Sequence, residues 1–149
     1  MSELSIKLNR TINAPVEKVF NAWLNAETLS QFMLPMRDMP NPRTESNAQV
    51  GGEFVIYMNV NGEEIPHRGK YLEINRFDKL VFTWESPYSP EDSTVTINFN
   101  QLSENQTEVE FSHVKFLNEE ARDDHENGWG LILETLDSLV SSQTNQAIA

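Results

Sequence analysis

Cysteine is absent from this 149-residue chain. Its absence excludes disulfides, thiol nucleophiles and cysteine-ligated metal sites, and it favours a reducing compartment. The first residues contain no apolar signal segment, and no apolar run approaches the roughly 20 residues that cross a bilayer. We therefore expect a cytoplasmic protein with no membrane span.

Positive charge is also scarce, because 11 lysines and arginines stand against 23 acidic residues, for a net charge of -12. Such a surface repels phosphate backbones and anionic headgroups, so nucleic acid and membranes are poor partners. The acids are spread along the chain, which favours simple solubility as their explanation. Attraction to a basic partner protein is the sharper alternative.

Motifs for metal, phosphate and nucleophilic chemistry are missing from the sequence. No His-x-His, His-Glu-x-x-His or Gly-x-Ser-x-Gly pattern occurs, and Gly51-Gly52 precedes a strand rather than a helix. We expect no metal and no cofactor, and we favour a protein that is not an enzyme.

The first third of the chain predicts one strand, two short helices and a loop. Apolar residues alternate up to Ile12, which is typical of a half-buried strand. Helical spacing follows Pro15, and Asn25 is the expected cap of a second helix that ends near Phe32. Residues 33–49 contain three prolines, three methionines and no periodicity. We interpret that stretch as a long loop, a type that often forms either a functional lid or a mobile segment.

Five further strands are predicted from alternating apolar positions. They cover residues 54–58, 64–74, 80–84, 95–99 and 109–113. Asn61-Gly62 is a strong signal for a tight type I′ hairpin. Because the connections are short, the pattern favours an antiparallel meander, and with the first strand it predicts a six-stranded sheet.

The last predicted element is a helix from about Asn118 to about Ser141. Its apolar residues form one stripe, composed of Trp129, Ile132, Leu133, Leu136, Leu139 and Val140. At 1.5 Å per residue the helix spans roughly 35 Å, so it can cover the whole sheet. We expect a single domain of residues 1–141, and a polar, disordered tail of residues 142–149.

This order of elements implies a covered trough. A meander of long strands twists and curls, and a helix about 10 Å wide cannot fill the concave face of six strands. The remaining space is either a ligand cavity or a core packed with aromatic side chains. Taken alone, the residues favour the packed core.

Three stretches resemble a known superfamily. RTINAPVEKVFNAWLNAETLSQF (residues 10–32) resembles the opening of START-like, or SRPBCC, domains. GGEFVIYMNVNGEEIPHRGKYLEINRFDKLVFTWE (residues 51–85) resembles the sheet of one branch, the bacterial homologues of the C-terminal domain of heat-shock-protein-90 ATPase activators, the AHSA-like family. TEVEFSHVKFLNEEARDDHENGWGLILETLDSL (residues 107–139) resembles its last strand and helix, with His125, Gly128 and Trp129 in a His-x-x-Gly-Trp pattern.

The resemblance implies an α+β helix-grip fold, like that of birch-pollen allergens, with a cavity that holds lipids, hormones or other hydrophobic molecules in relatives. It does not imply one activity, because the superfamily includes lipid carriers, polyketide cyclases, ring-hydroxylase subunits and co-chaperone domains. Phe32-Met33-Leu34-Pro35 replaces the Trp-Trp-x-Pro stretch of many relatives. The sequence also lacks the separate N-terminal domain of the eukaryotic activators, which weakens a stress-response role as a co-chaperone.

The expected ligand cavity lies between the sheet and the last helix. Its predicted lining is Phe54, Ile56, Met58, Tyr71, Trp84, Phe99, Phe111, His113, Trp129 and Leu133. Its predicted mouth is Phe32, Met33, Leu34 and Met36.

Glu73, His113 and His125 are the candidates for acid–base catalysis. The favoured alternative is structural: hydrogen bonds for the two histidines, and for Glu73 an ion pair with Arg68, Lys70 or a neighbouring strand. His67 is expected to be exposed.

Gly128 and Gly130 weaken a helix interior, which indicates close packing for Gly128 and leaves packing and a hinge open for Gly130.

Three functions remain as hypotheses. The first is non-enzymatic binding of a small hydrophobic or amphipathic ligand, such as a lipid. The second is a co-chaperone-like contact with a chaperone or another basic protein, and the third is a cyclase- or hydrolase-like enzyme. We expect a monomer or a weak dimer.

Overall fold

The structure is a computed structural model that describes residues 5–34, 40–60, 62–86, 93–114, 116 and 118–148, with side chains for all of these except 60 and 142–148. Its elements follow in the order β1 (Ser5–Ile12), α1 (Val16–Ala22), α2 (Ala26–Phe32), β2 (Arg43–Ser46), β3 (Glu53–Val60), β4 (Glu63–Asn75), β5 (Lys79–Thr83), β6 (Thr94–Ser103), β7 (Gln106–Val114) and α3 (Glu119–Ile148). This is the α+β helix-grip architecture that the resemblance implied.

The described strands form one antiparallel sheet in the order β1-β7-β6-β5-β4-β3-β2. The sheet has seven strands, so the prediction of six strands is wrong by one. The extra strand, β2, lies inside the stretch that was interpreted as a loop, and it pairs Arg43 with Tyr57 and Ser46 with Phe54 of β3.

Strand β2 carries no apolar alternation, which explains why its sequence does not predict a strand. It lies at the sheet edge, and its inward residues are hydroxyl residues. The Thr44 hydroxyl donates to the carbonyl of Ala26, and the Ser46 hydroxyl donates to the carbonyl of Leu24 at 2.8 Å. These bonds anchor Leu24 and the first residue of α2 to the sheet edge.

The register divides the sheet into two faces. One row across the strands joins Tyr71, Phe82, Val95, His113 and Ile6, and all five are buried. The next row on that face joins Ile74, Leu80, Ile97, Phe111 and Leu8. Because cross-strand partners share a face, these rows form the concave surface that packs against the helices.

A β-bulge interrupts this alternation in β4. Tyr71 pairs with Phe82, but the next pair joins Glu73 to Val81, so Leu72 is the extra residue. Leu72 is 47% exposed. The bulge therefore turns Glu73 to the convex face, although it lies only two residues after the inward Tyr71.

Helix α3 lies across the concave face as predicted. Asn118 caps it, because its side-chain oxygen accepts from the amide of Ala121 at 2.8 Å. Five residues of the predicted stripe are buried, and the sixth, Leu139, packs partly buried against the core. A salt bridge of 2.8 Å joins Arg10 of β1 to Asp137.

The backbone of α3 continues to Ile148, past the end predicted near Ser141. The division into a domain of residues 1–141 and a tail of residues 142–149 stays a prediction. Among the described helices, none combines the length and the apolar character needed to cross a membrane.

Candidate functional site

The residues predicted to line a cavity lie on the concave face of the sheet and on the inward side of α3. All ten are buried, with exposed fractions of 3% or less. Seven of them come from strands β3, β4, β6 and β7, and Trp84 directly follows β5. The other two, Trp129 and Leu133, come from α3. The sequence therefore identifies the interior surface of the fold, while its use as a ligand site stays a prediction.

The rings in this interior contact one another. Trp129 of α3 lies 4.6 Å from Phe111 and 4.8 Å from Trp84 between ring centroids. Phe54 packs edge-on to Phe82 at 5.2 Å. Gly69 of β4 permits this arrangement, because a side-chain carbon there would collide with the ring of Phe54.

The predicted mouth is part of this packing in the described residues. Phe32 and Met33 are buried, and Phe32 packs edge-on to Trp23 at 5.1 Å. Leu34 is half-buried. Met36 lies outside the described residues.

His113 is the polar centre of the interior. The Trp129 indole donates from Nε1 to Nδ1 of His113 at 3.0 Å, and His113 Nε2 lies 2.6 Å from the Ser93 hydroxyl oxygen. An indole nitrogen can only donate, so Nδ1 must carry a lone pair. His113 is therefore neutral with its proton on Nε2, which donates to Ser93.

The other two histidines, His125 and His67, lie near this centre. The ring of His125 is 5.5 Å from that of His113, and its Nδ1 donates to the carbonyl of Ala121 at 2.7 Å. His67 packs 5.4 Å from Trp84 and donates from Nδ1 to the carbonyl of Ile65. His67 is only 7% exposed, so the expectation that it is exposed is wrong. It lies on the inward row of β4, opposite Ile56.

Burial keeps two of these histidines uncharged. It lowers the pKa of His113 to about 3, with a further lowering from the neighbouring His125. Burial also lowers the pKa of His67 to about 4, against the raising effect of its bond to Ile65, and His125 lowers it further. Near neutral pH both imidazoles are neutral hydrogen-bonding groups.

The Ser93–His113 pair has the spacing of a nucleophile and its base, but its protonation state is unsuited to that reaction. A base must offer a lone pair to the hydroxyl. Here the lone pair of His113 is occupied by the Trp129 donor, and the nitrogen beside Ser93 carries the proton. Among the described contacts this geometry favours a structural role for the pair.

Glu73 does not join the histidines. The bulge places it in a row with Val81, Thr96 and Ser112 on the convex face, whereas His113 is on the concave face. Its carboxylate accepts a hydrogen bond from Asn75. The three predicted acid–base candidates therefore do not share one site.

Among the described residues, two buried side-chain donors in this interior have no hydrogen-bond partner. They are the indole nitrogens of Trp23, which follows α1, and of Trp84, which follows β5. Each tryptophan is 2% exposed. An unsatisfied buried donor costs about 1–3 kcal/mol, so these two groups require an explanation.

A surface groove of about 400 Å³ lies away from this interior. None of its lining residues belongs to the predicted cavity. They are Pro15, Glu17, Lys18, Asn21, Ala22, Asn25, Thr28 and Val140.

Within the described part of the chain, no three His, Asp or Glu side chains are grouped so that they could hold a metal ion.

Ser93 and the buried His67 are the site residues that sequence reasoning missed. Ser93 precedes β6 by one residue, and Val95, two residues later, pairs directly with His113. Extending the alternation of residues 95, 97 and 99 backwards would place Ser93 on the inward face. Pro87 and Pro90, which precede it in the sequence, hide that signal.

Comparison with known proteins adds a family match. The model of the family described as Activator of Hsp90 ATPase homolog 1-like protein matches residues 13–141. No curated protein sequence matches the chain.

Solved structures share the fold. Protein CV1439 from Chromobacterium violaceum is 23% identical with a TM-score of 0.79, covering 91% of this chain and 96% of its own. PFC0360w, an HSP90 activator from Plasmodium falciparum, is 24% identical with a TM-score of 0.76, covering 93% and 96%. CalU16 from Micromonospora echinospora is 20% identical with a TM-score of 0.71, covering 95% and 79%. At these identities the likeness concerns the fold alone.

Proposed function

The chain belongs to the family of Activator of Hsp90 ATPase homolog 1-like proteins, and on that premise we propose that it binds a small hydrophobic or amphipathic ligand, without catalysis, between the sheet and α3. The observation that carries the proposal is that the ten inward residues, from the sheet and from α3, are all buried in the interior between the sheet and the helices. Their rings present an apolar surface that a lipid-like or aromatic molecule would complement.

Helix α3 is the element that would admit a ligand. It meets β1 through the salt bridge of Arg10 with Asp137, whose side chains are 37% and 21% exposed. A partly exposed pair of this kind contributes on the order of 1 kcal/mol or less, so the buried apolar stripe, rather than this pair, holds α3 against the sheet. Movement of α3 away from the sheet would open space beside the ring of Trp129.

The most direct test is to look for a ligand that stays bound to the protein through gentle purification. Native mass spectrometry of the purified protein should show an added mass that disappears on denaturation. Calorimetric titration with a panel of lipids and aromatic compounds should then give saturable binding. No added mass and no saturable binding across the panel would overturn the proposal.

A matched pair of variants locates the site. Leu133→Trp adds volume to a buried position of α3 and should weaken binding at least tenfold. Leu131→Trp makes the same change at a half-buried position of the same helix and should leave the affinity unchanged. Equal affinities for the two variants would contradict a site beneath α3.

A co-chaperone-like contact is the second candidate, and two observations favour it. The chain shares its fold with a protein described as an HSP90 activator. The first turns of α3 also present exposed acids, among them Glu119, Glu120, Asp123 and Asp124. Their attraction to a basic surface would weaken steeply with salt.

Pull-down with a purified Hsp90-class chaperone tests this second candidate. The wild-type chain should be retained at low salt and released as salt rises. The variant with Glu119→Gln, Glu120→Gln, Asp123→Asn and Asp124→Asn should be retained less. Absence of retention at low salt would rule the contact out.

A further inference from the structure

The three tryptophans differ in how their indole donors are satisfied. All three are 2% exposed. Trp129 donates to His113, whereas the nitrogens of Trp23 and Trp84 have no hydrogen-bond partner in the part of the chain that the structure describes. Because buried hydrogen-bond donors in proteins are nearly always paired, each of these two indole nitrogens indicates a position where an acceptor is expected.

The two unsatisfied indoles both lie close to Trp129. The ring of Trp84 is 4.8 Å from that of Trp129, and the ring of Trp23 is 6.5 Å from it. The buried imidazole of His113 cannot serve them, because its single lone pair already accepts from Trp129. An acceptor for Trp23 or Trp84 must therefore come from elsewhere.

We infer that Trp23 and Trp84 select, for the ligand proposed above, an uncharged apolar molecule that carries a hydrogen-bond-accepting oxygen, such as a ketone, ester or amide carbonyl. This inference rests on the proposed function and specifies its ligand class. A bonded carbonyl would remove the cost of an orphaned indole donor and would distinguish the ligand from a plain hydrocarbon.

The absence of a buried cation favours a neutral acceptor over a carboxylate. Among the described residues, the buried polar or charged side chains are His67, Ser93, Thr107 and His113, with no lysine or arginine. Arg10, which reaches α3, is already paired with Asp137. An ionised carboxylate placed here would be a buried, unpaired charge, which is far more costly than a neutral carbonyl.

Three naphthalene derivatives test whether the site prefers a neutral acceptor, no acceptor or a carboxylate. They are 2-acetylnaphthalene, 2-ethylnaphthalene and 2-naphthoate, respectively. They are titrated into ¹⁵N-labelled protein, and the three indole N–H resonances are assigned with single Trp→Phe variants. The acetyl compound should bind at least tenfold more tightly than the ethyl compound. It should move the resonance of Trp23 or Trp84 downfield and leave that of Trp129 near its original position.

The outcomes are distinguishable. If neither neutral compound binds, the proposed function fails and the inference fails with it. If the ethyl and acetyl compounds bind equally, or if the naphthoate binds best, the inference is overturned while ligand binding stands.

Variants provide an internal control. In Trp84→Phe or Trp23→Phe, the ratio of acetyl to ethyl affinity should fall towards one. In Trp129→Phe, whose donor is already used, the ratio should stay as in wild type. Because a packing defect weakens both compounds alike, the ratio remains informative, and an unchanged ratio in both of the first two variants would overturn the inference.

Discussion

The interior of this protein has two kinds of buried polar site, and they differ in how completely they are satisfied. Beneath α3, Trp129, His113 and Ser93 form a chain of hydrogen bonds in which each group has a defined role. Beside it, the indole donors of Trp23 and Trp84 have no hydrogen-bond partner among the described residues. A satisfied network fixes one arrangement of helix and sheet, whereas an unsatisfied buried donor costs stability and would be satisfied by an incoming acceptor.

Acid should cause the largest loss of stability, because it favours protonation of the buried His113 at the centre of the network and of the buried His67 near it. The pKa of His113 is lowered to about 3 and that of His67 to about 4, so the unfolded chain binds more protons than the folded one below pH 6.5. Stability should therefore fall as pH falls, by about 1 kcal/mol per histidine per pH unit, or on the order of 6 kcal/mol for both between pH 6.5 and 4. Urea unfolding at several pH values measures this slope. A His67→Gln variant should show a shallower slope, and equal stability at pH 7 and pH 5 would contradict the prediction.

Removing the centre of the network should have the next largest effect. His113→Ala removes the acceptor of Trp129 and one bond of Ser93 and leaves a cavity, so we expect a loss of about 3–4 kcal/mol. The neighbouring His125 bonds to Ala121 within its own helix turn, its one hydrogen bond among the described residues, so His125→Ala should cost about 1 kcal/mol. Thermal and denaturant unfolding of both variants measures the difference, and equal losses would show that His113 is not the centre.

The same substitution at the three tryptophans sharpens the comparison. Trp129→Phe removes a satisfied donor and should cost about 2–3 kcal/mol, because His113 loses its partner. Trp84→Phe and Trp23→Phe remove orphaned donors, so relief of that cost should offset the lost packing and leave about 1 kcal/mol or less. Denaturant unfolding measures all three, and equal losses would mean that the orphaned donors carry no penalty.

The smallest expected effect concerns the helix that covers both sites. A side-chain carbon at Gly130 would meet no atom within 4 Å, and α3 is continuous there. Gly130→Ala should therefore stabilise the protein by about 0.5–1 kcal/mol through helix propensity. Gly128→Ala, at a buried position, should destabilise it. If Gly130→Ala instead slows ligand exchange at unchanged affinity, Gly130 acts as a hinge.

Alternation and capping predict most of the fold from the sequence. The strands with apolar residues at every second position appear where expected, and both asparagine caps form. Alternation does not predict β2, because Thr44 and Ser46 are held by hydroxyl hydrogen bonds to the carbonyls of Ala26 and Leu24 and not by apolar burial. Short polar edge strands give no periodic signal.

The residues of the candidate site are predictable, but their chemistry is not. Alternation indicates that His113 faces inward, yet its protonation state depends on the position of the Trp129 nitrogen, which only the packed side chains define. The same holds for Trp23 and Trp84, whose missing partners leave no trace in sequence. Glu73 misleads because an alternation count assumes that β4 is regular.

The bulge at Leu72 has a consequence for how such proteins diverge. If the end of β4 slipped by one residue against β5, Glu73 and Ile74 would exchange faces without a change in any side chain. An apolar interior would then acquire a carboxylate, the kind of group from which acid–base chemistry can begin. Two relatives with identical residues in this strand could thus differ in chemical capacity through register alone, so alignment of this region by composition would miss the difference.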